Sequence, residues 1–326
     1  MNVVLAWLGW AILFLGLAMA GLWLLGPREP VVTDIRFDAS ALSQGVDAYL
    51  AQQEARFDDI TPGVEKQVVW ANGPEQKTPL SIVYLHGFSA TAQEVRPLPD
   101  LVAQALGANL VFTRLAGHGR SSEAMAEPEV EHWMHDVAEA LAIAHRIGDR
   151  VVVLGTSTGA TLAALAAHED MGVQMSGVVL IAPNFRVNNP AAALLTWPAA
   201  RWWLPVLAGK DRVFEPRNKG QEQYWTTRYP SIATLPMGAA VKAARALPHE
   251  QVQTPALFIF DDKDKVVDHV ATREVATRWG AASQMHVVHA GPEDDSYAHV
   301  IAGDIMSPTL TAPTAERIVE WVRNLP

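Results

Sequence analysis

Val151–His168 reads VVVLGTSTGATLAALAAH: a β-branched apolar run, the pentapeptide Gly155-Thr156-Ser157-Thr158-Gly159, and an alanine-rich run. The first part predicts a buried strand, Arg150 to Leu154, and the last a helix, Thr158 to Ala167. Ser157 then sits on a sharp strand-to-helix turn, and the flanking glycines give that turn its room. Such a turn lifts the hydroxyl clear of the sheet. It also aims the helix amino terminus, with its unpaired N–H groups, at the point where an oxyanion would form beside the serine.

Outward from this segment, strands and helices alternate. Val64 to Trp70, Leu80 to Leu85 (LSIVYL), Asn109 to Thr113, Gly177 to Ile181, Ala256 to Phe260 and Met285 to His289 read as strands. Ser40 to Phe57, Thr91 to Leu106, Val130 to Ile147, Val270 to Trp279 and Ala315 to Val322 have helical spacing. The pattern predicts an α/β protein with a mostly parallel central sheet and helices on both faces. From Arg186 to about residue 250 no strand-like run occurs, while Trp197, Trp202, Trp203, Tyr224, Trp225 and Tyr229 accumulate. That stretch is expected to be a helical cap over the carboxyl edge of the sheet, where open α/β sheets bind ligands.

With 326 residues, 49% hydrophobic and 18% charged, the chain can bury a large core. Its formal charge of -10 and scattered Lys and Arg speak against a nucleic-acid partner. The absence of cysteine excludes disulfides, a thiolate nucleophile and Cys-based zinc sites. Val3 to Leu25 carries no charge and passes the roughly 20 apolar residues needed to cross a bilayer. It is read as a transmembrane anchor; the rival is a cleaved signal peptide ending near Ala18-Met19-Ala20, but no Lys or Arg precedes the apolar run. The expected organisation is an anchor over 1–27, a helical lead-in over 28–63, and the main domain over 64–326 with the cap at about 186–250. Arg28 and Arg36 are accompanied by Glu29, Asp34 and Asp38, so the charges fix neither side of the membrane for that domain.

Three further segments supply chemistry. Tyr84-Leu85-His86-Gly87-Phe88-Ser89 follows a buried strand, and its loop can present a backbone amide beside Ser157. The oxyanion hole is therefore assigned to the backbone N–H groups of Phe88 and Thr158. His86 and His118 both lie in glycine-containing loops; His86 is read as structural and His118 as structural or pocket-lining. Phe258 to Val267 ends a strand with Asp261, Asp262 and Asp264, and Asp268 follows; spacing does not choose a histidine-orienting acid among these four. His299, in the loop after the last strand, is the candidate base, with His289 as its rival.

These pieces together resemble the α/β-hydrolase superfamily, in particular its capped bacterial esterases and lysophospholipase-like members, which are similar to monoacylglycerol lipases. The resemblance rests on His86-Gly87-Phe88, Gly117-His118-Gly119, the Ser157 pentapeptide, Asp264-Lys265-Val266-Val267 and His299-Val300. It implies that Asp264 is the acid, although Asp261 stands where the family usually has glycine. It further implies a Ser157–Asp264–His299 serine hydrolase acting on carboxylic esters through an acyl-enzyme, with no metal or organic cofactor. Cap aromatics with Leu194, Leu195, Leu204 and Leu207 suggest an apolar pocket, and the anchor suggests lipid-derived esters. A thioesterase, acyltransferase or peptidase would use the same residues, and a non-catalytic lipid- or protein-binding scaffold would share the fold; oligomeric state is not legible.

Overall fold

Residues Ser81 to Leu85 are all buried, as their near-continuous apolar run demands of a strand covered on both faces. They belong to the centre of a computed structural model that describes residues 2–326; Met1, first residue of the expected anchor segment, lies outside the described residues. In chain order the elements begin with α1 (Asn2–Leu25), α2 (Val46–Glu54), β1 (Gln67–Val69), β2 (Thr78–Leu85), α3 (Leu98–Leu106), β3 (Asn109–Phe112), α4 (Val130–Ile147), β4 (Gly148–Thr156), α5 (Thr158–Ala166) and β5 (Gly177–Ile181). An insertion follows, holding α6 (Ala200–Leu207), β6 (Asp211–Val213), α7 (Lys219–Tyr224), β7 (Arg228–Pro230) and α8 (Thr234–Ala246). The chain closes with β8 (Ala256–Asp261), α9 (His269–Arg278), β9 (Ser283–Val288) and α10 (Pro308–Arg323).

Seven strands form the main sheet in the order β1-β3-β2-β4-β5-β8-β9. Every neighbouring pair is parallel except β1 with β3. The α/β sheet expected from the sequence is therefore present, with helices on both faces. Alternate strand residues divide between them: Val83, Leu85, Val153 and Leu180 pack with α4, α5, α8 and α9, while Ile82, Tyr84, Leu154 and Ile181 pack with α3 and α10. After β2 the chain moves to one side of the sheet, and after β4 to the other. The carboxyl ends of these two neighbours, with Leu85 in register with Gly155, thus mark the switch point at which such sheets bind ligands.

Several boundaries differ from expectation. The edge strand β1 covers only part of Val64–Trp70. The helix expected over Thr91–Leu106 is split into a 3₁₀ turn, Ala92–Glu94, and α3, because Pro97 lacks the amide hydrogen that a continuous helix needs. Ser40–Phe57 is likewise divided at Gly45. Within the insertion, where no strand was expected, β6 and β7 pair as a short antiparallel ribbon; three-residue, charge-bearing strands leave no periodicity to read. The last helix starts at Pro308, seven residues ahead of the expected Ala315, with Pro308 in its first turn, where proline is tolerated. The apolar stretch Val4–Leu25 forms a helix long enough to cross a membrane, and none of it is buried.

The turn after β4 depends on close backbone packing. A β-carbon at Gly159 would overlap the Leu85 carbonyl and lie 2.7 Å from the His86 oxygen, both main-chain atoms that cannot swing aside. Gly159→Ala is expected to destabilise the fold by roughly 3 kcal/mol or more, at the upper end of overpacking costs. Thermal unfolding measures this, and an unchanged melting temperature would refute the packing argument.

Candidate active site

Ser157 occupies the turn between β4 and α5 with φ 52° and ψ −113°, a conformation rare for any residue with a β-carbon. Its N–H donates to Ile181 O at 2.9 Å, and its carbonyl accepts from the amides of Thr161 and Asn184 at 3.1 and 3.2 Å. The backbone is thereby held while the hydroxyl projects at the switch point. His299 Nε2 lies 3.1 Å from Ser157 Oγ, and His299 Nδ1 lies 2.8 Å from Asp264 Oδ2. Ser157, His299 and Asp264 therefore form one hydrogen-bonded line. The other oxygen of Asp264 accepts the amides of Val266 and Val267 at 2.7 and 2.9 Å, which fixes the carboxylate's plane.

The other aspartates of that loop are occupied elsewhere. Asp261 accepts from the amides of Lys263 and Ala290, Asp262 pairs with Arg273, and Asp268 caps α9 and pairs with Arg186. His289 makes no contact with Ser157 among the described hydrogen bonds, whereas His299 does. Among the described residues the amides of Phe88 and Thr158 donate to no other group of the chain. Both residues line the cavity that holds Ser157 and His299.

Burial alone would push the His299 imidazole down, but the Asp264 carboxylate, by charge and hydrogen bond, and the Glu94 carboxylate outweigh it, and the net shift is up from 6.5. His86 is buried and held well below the usual histidine range, chiefly by that burial. Its Nε2 accepts the Leu115 amide at 3.0 Å, which leaves Nδ1 to donate to Gly87 O at 2.9 Å. His118, packed edge-on against it with ring centroids 5.1 Å apart, is pushed down to about 4 by burial. Two neutral imidazoles thus brace the loop that carries Phe88.

Two carboxylates that sequence reading passed over complete the surroundings. Glu94 Oε1 accepts the Gly87 amide at 2.6 Å and the Tyr84 hydroxyl at 2.8 Å, and that hydroxyl lies 2.9 Å from Thr156 Oγ1. An added β-carbon on Gly87 would meet Glu94 Oε2 at 2.9 Å and Ser157 Cβ at 3.4 Å, so the glycine lets this carboxyl approach the serine. Asp295 Oδ2 accepts the amides of His299 and Val300 at 3.1 and 3.0 Å, while Oδ1 accepts that of Tyr297 at 3.0 Å and pairs with Arg217. Only Asp295's place in the His299 loop could have drawn attention to it; Glu94 carried no signal.

The cavity in front of Ser157 measures about 590 Å³, within the range of small-molecule sites. Leu194, Leu195, Leu204, Met237 and Met306 contribute apolar wall, and Arg212, Arg217 and Gln221 contribute polar groups. A serine lining such a cavity and hydrogen-bonded to an oriented imidazole can be deprotonated as it attacks a carbonyl carbon.

Fold and site define the class, an esterase/lipase-type hydrolase with the α/β-hydrolase fold. The family model for serine aminopeptidase, S33 (Hydrolase_4) matches residues 76–291, and the chain belongs to that family. A thermostable monoacylglycerol lipase of Bacillus sp. (strain H-257) is 28% identical over 191 residues, 58% of this chain and 72% of the lipase. Among solved structures, one reported for the metagenome-derived lipolytic enzymes LipS and LipT superposes with a TM-score of 0.66 at 20% identity, covering 81% of this chain and 99% of that one. A soluble variant of the Saccharomyces cerevisiae monoglyceride lipase superposes at 0.60 with 14% identity, covering 82% and 96%. Those structural likenesses show the shared fold.

Glu94 gives a pH signature. Burial, opposed by the bonds from Gly87 and Tyr84, pushes its carboxyl up to about 7. A carboxyl raised on folding favours the native state fully below its unfolded value of 4.5, and that contribution is lost as pH rises through about 7. Between pH 5 and 8.5 the wild type should therefore lose on the order of a few kcal/mol more stability than Glu94→Gln. Denaturant unfolding at the two pH values tests this, and equal losses would show that Glu94 does not titrate in that window.

Proposed function

We propose that this chain is a membrane-anchored serine esterase that hydrolyses lipid-like or other apolar acyl esters. The observation that carries the reading is the Ser157–His299–Asp264 line opening into an apolar-walled cavity. In the proposed reaction His299 Nε2 takes the Ser157 proton while Oγ bonds to the ester carbonyl carbon. The oxygen, now negative, is held by the Phe88 and Thr158 amides, which need no reorganisation to receive it. Collapse expels the alcohol, protonated by His299, and leaves an acyl-serine. A water molecule, deprotonated by the same imidazole, then releases the carboxylic acid and restores the hydroxyl. Asp264 holds the imidazole's tautomer and favours its charged form.

The proposed organisation places an anchor at 1–27, a lead-in at 28–63 and the hydrolase domain at 64–326, with the cap at about 186–250. Support for the anchor is the unburied apolar helix Val4–Leu25. Support for an acyl substrate is the row of Leu and Met side chains on the cavity wall, together with the similarity to a protein named as a monoacylglycerol lipase.

A fluorophosphonate should label Ser157 in detergent-solubilised full-length protein, and Ser157→Ala should lose both labelling and roughly a million-fold in turnover. An ester panel of graded acyl length, run beside aminoacyl anilides, tests the leaving group; faster turnover of the anilides would overturn the ester reading.

The raised His299 pKa sets a second expectation. The base works only when neutral, so kcat/KM should fall with decreasing pH through a value above 6.5. Asp264→Asn removes the charge that raises it and should move this limb to lower pH while reducing kcat by about 10⁴. Asp262→Asn should change neither quantity; if it alone abolishes activity, the acid is misassigned.

A further inference from the structure

The insertion helix α6 has the sequence ARWWLPVL, apolar on every side apart from Arg201. A helix of that composition belongs inside a protein or a membrane. One side of it is accounted for: Leu204 is buried, and Leu204 and the following Ala208 line the cavity before Ser157. The opposite side is not. Trp202, Val206 and Leu207 are 68%, 81% and 76% exposed. Contiguous large apolar side chains on a surface mark a contact that the isolated chain does not satisfy.

What lies next to this helix identifies the contact. Trp23, in the last turn of α1, meets Trp197 edge-on with ring centroids 5.5 Å apart. A β-carbon on Gly26 would lie 2.7 Å from Pro198 Cβ. The Pro27 carbonyl accepts the Ala199 amide at 2.6 Å, and Ala199 takes a left-handed conformation, φ 54°, to deliver it. Glu29 then grips Arg201 through both oxygens, at 2.6 and 2.7 Å, with only 6% of its side chain exposed. The one charge of α6 is thus neutralised by the segment that leaves the apolar helix.

Depth follows from length. The 22 residues Val4–Leu25 extend about 33 Å at the helical rise, which the hydrocarbon core of a bilayer, about 30 Å thick, consumes entirely. Trp23 therefore lies at the edge of that core, in the layer that tryptophan favours. Trp197 touches it, and α6 begins three residues later.

We propose that Pro27–Glu29 is a latch that fastens the cap to the membrane anchor and lays the outer face of α6, Trp202, Val206 and Leu207, into the interfacial layer of the bilayer that α1 crosses. The inference rests on the anchor reading above. It places the apolar wall formed by Leu204 directly behind a membrane-embedded face, so an acyl chain passes from leaflet to cavity along one helix.

The chain has no cysteine, so single cysteines report single positions. Full-length Leu13→Cys, Val206→Cys and Met285→Cys, each carrying an NBD fluorophore, are placed in phosphatidylcholine nanodiscs containing doxyl-labelled lipid. Quenching is expected at 13 and 206 and not at 285, on the edge strand β9. Quenching at 13 without quenching at 206 would overturn this inference and leave the anchor standing; absence of quenching at 13 would overturn the anchor reading, and this one with it. Adding Arg201→Ala to Val206→Cys should weaken quenching at 206, while quenching at 13 is unchanged when the same change is added there. Undiminished quenching at 206 would overturn the latch.

Discussion

Gly159 has no side chain, and the amino end of α5 therefore presses onto the last carbonyls of β2, where a β-carbon would overlap the Leu85 oxygen. A β-carbon on Gly155, on the same turn, would lie 2.7 Å from the backbone of Gly159 and Ala160. Between the two, Ser157 is driven to positive φ, at a cost of about 1–3 kcal/mol for a residue with a side chain. The strain is offset locally by the bonds from Ser157 to Ile181, Thr161 and Asn184, which join β5 and the loop after it to the turn. Because β2 and β4 are neighbours at the switch point, the same contact brings the His86–Ser89 loop beside the serine. One steric constraint thus sets the hydroxyl, the start of α5 at Thr158 and the loop that carries Phe88.

That loop is held from below by buried polar groups. His86 and His118 carry no charge at neutral pH, so they brace the backbone without adding a positive field beside the serine. Glu94 is different, since it brings a titratable carboxyl within reach of the site. Ionised, it accepts strongly from Gly87 and Tyr84 and strengthens the hold of His299 on its proton, yet it opposes a negative charge on a neighbouring oxygen. Burial lifts its pKa to about 7, so the fraction carrying that charge changes near neutrality.

What the sequence made legible follows from the range of the interactions concerned. β2 and β5 were readable because strands covered on both faces must be apolar throughout, and helix α4 because one face of it alone meets the sheet. The turn at Ser157 was readable because glycines one turn apart leave a local mark. The ribbon β6–β7 left none, since its pairing is only three residues long and every side chain of β6 is exposed. Choosing Asp264 among four aspartates needed a family resemblance, because what separates them is the position of His299, 35 residues on. Asp295 and Glu94 were out of reach for the same reason: one is paired to Arg217, 78 residues away, and the other acts on a loop whose course only the sheet order determines.

Arg217 also shows how the insertion and the site are joined. It leaves the cap, lies over the Tyr297 ring at 4.0 Å and pairs with Asp295, whose other oxygen receives the amides of His299 and Val300. The position of the imidazole is therefore not set by the body of the fold alone. At the other end of the same insertion, Arg201 and Ala199 are held by Glu29 and Pro27. The insertion is also fastened to the body: α8 packs into the core beside α5, and the Thr226 amide donates to Ser89 O at 2.7 Å. The cap is thus a strut between the segment that follows the amino-terminal helix and the loop of the histidine, and Leu204 of the cavity wall stands on the same helix, α6, whose Arg201 that segment grips.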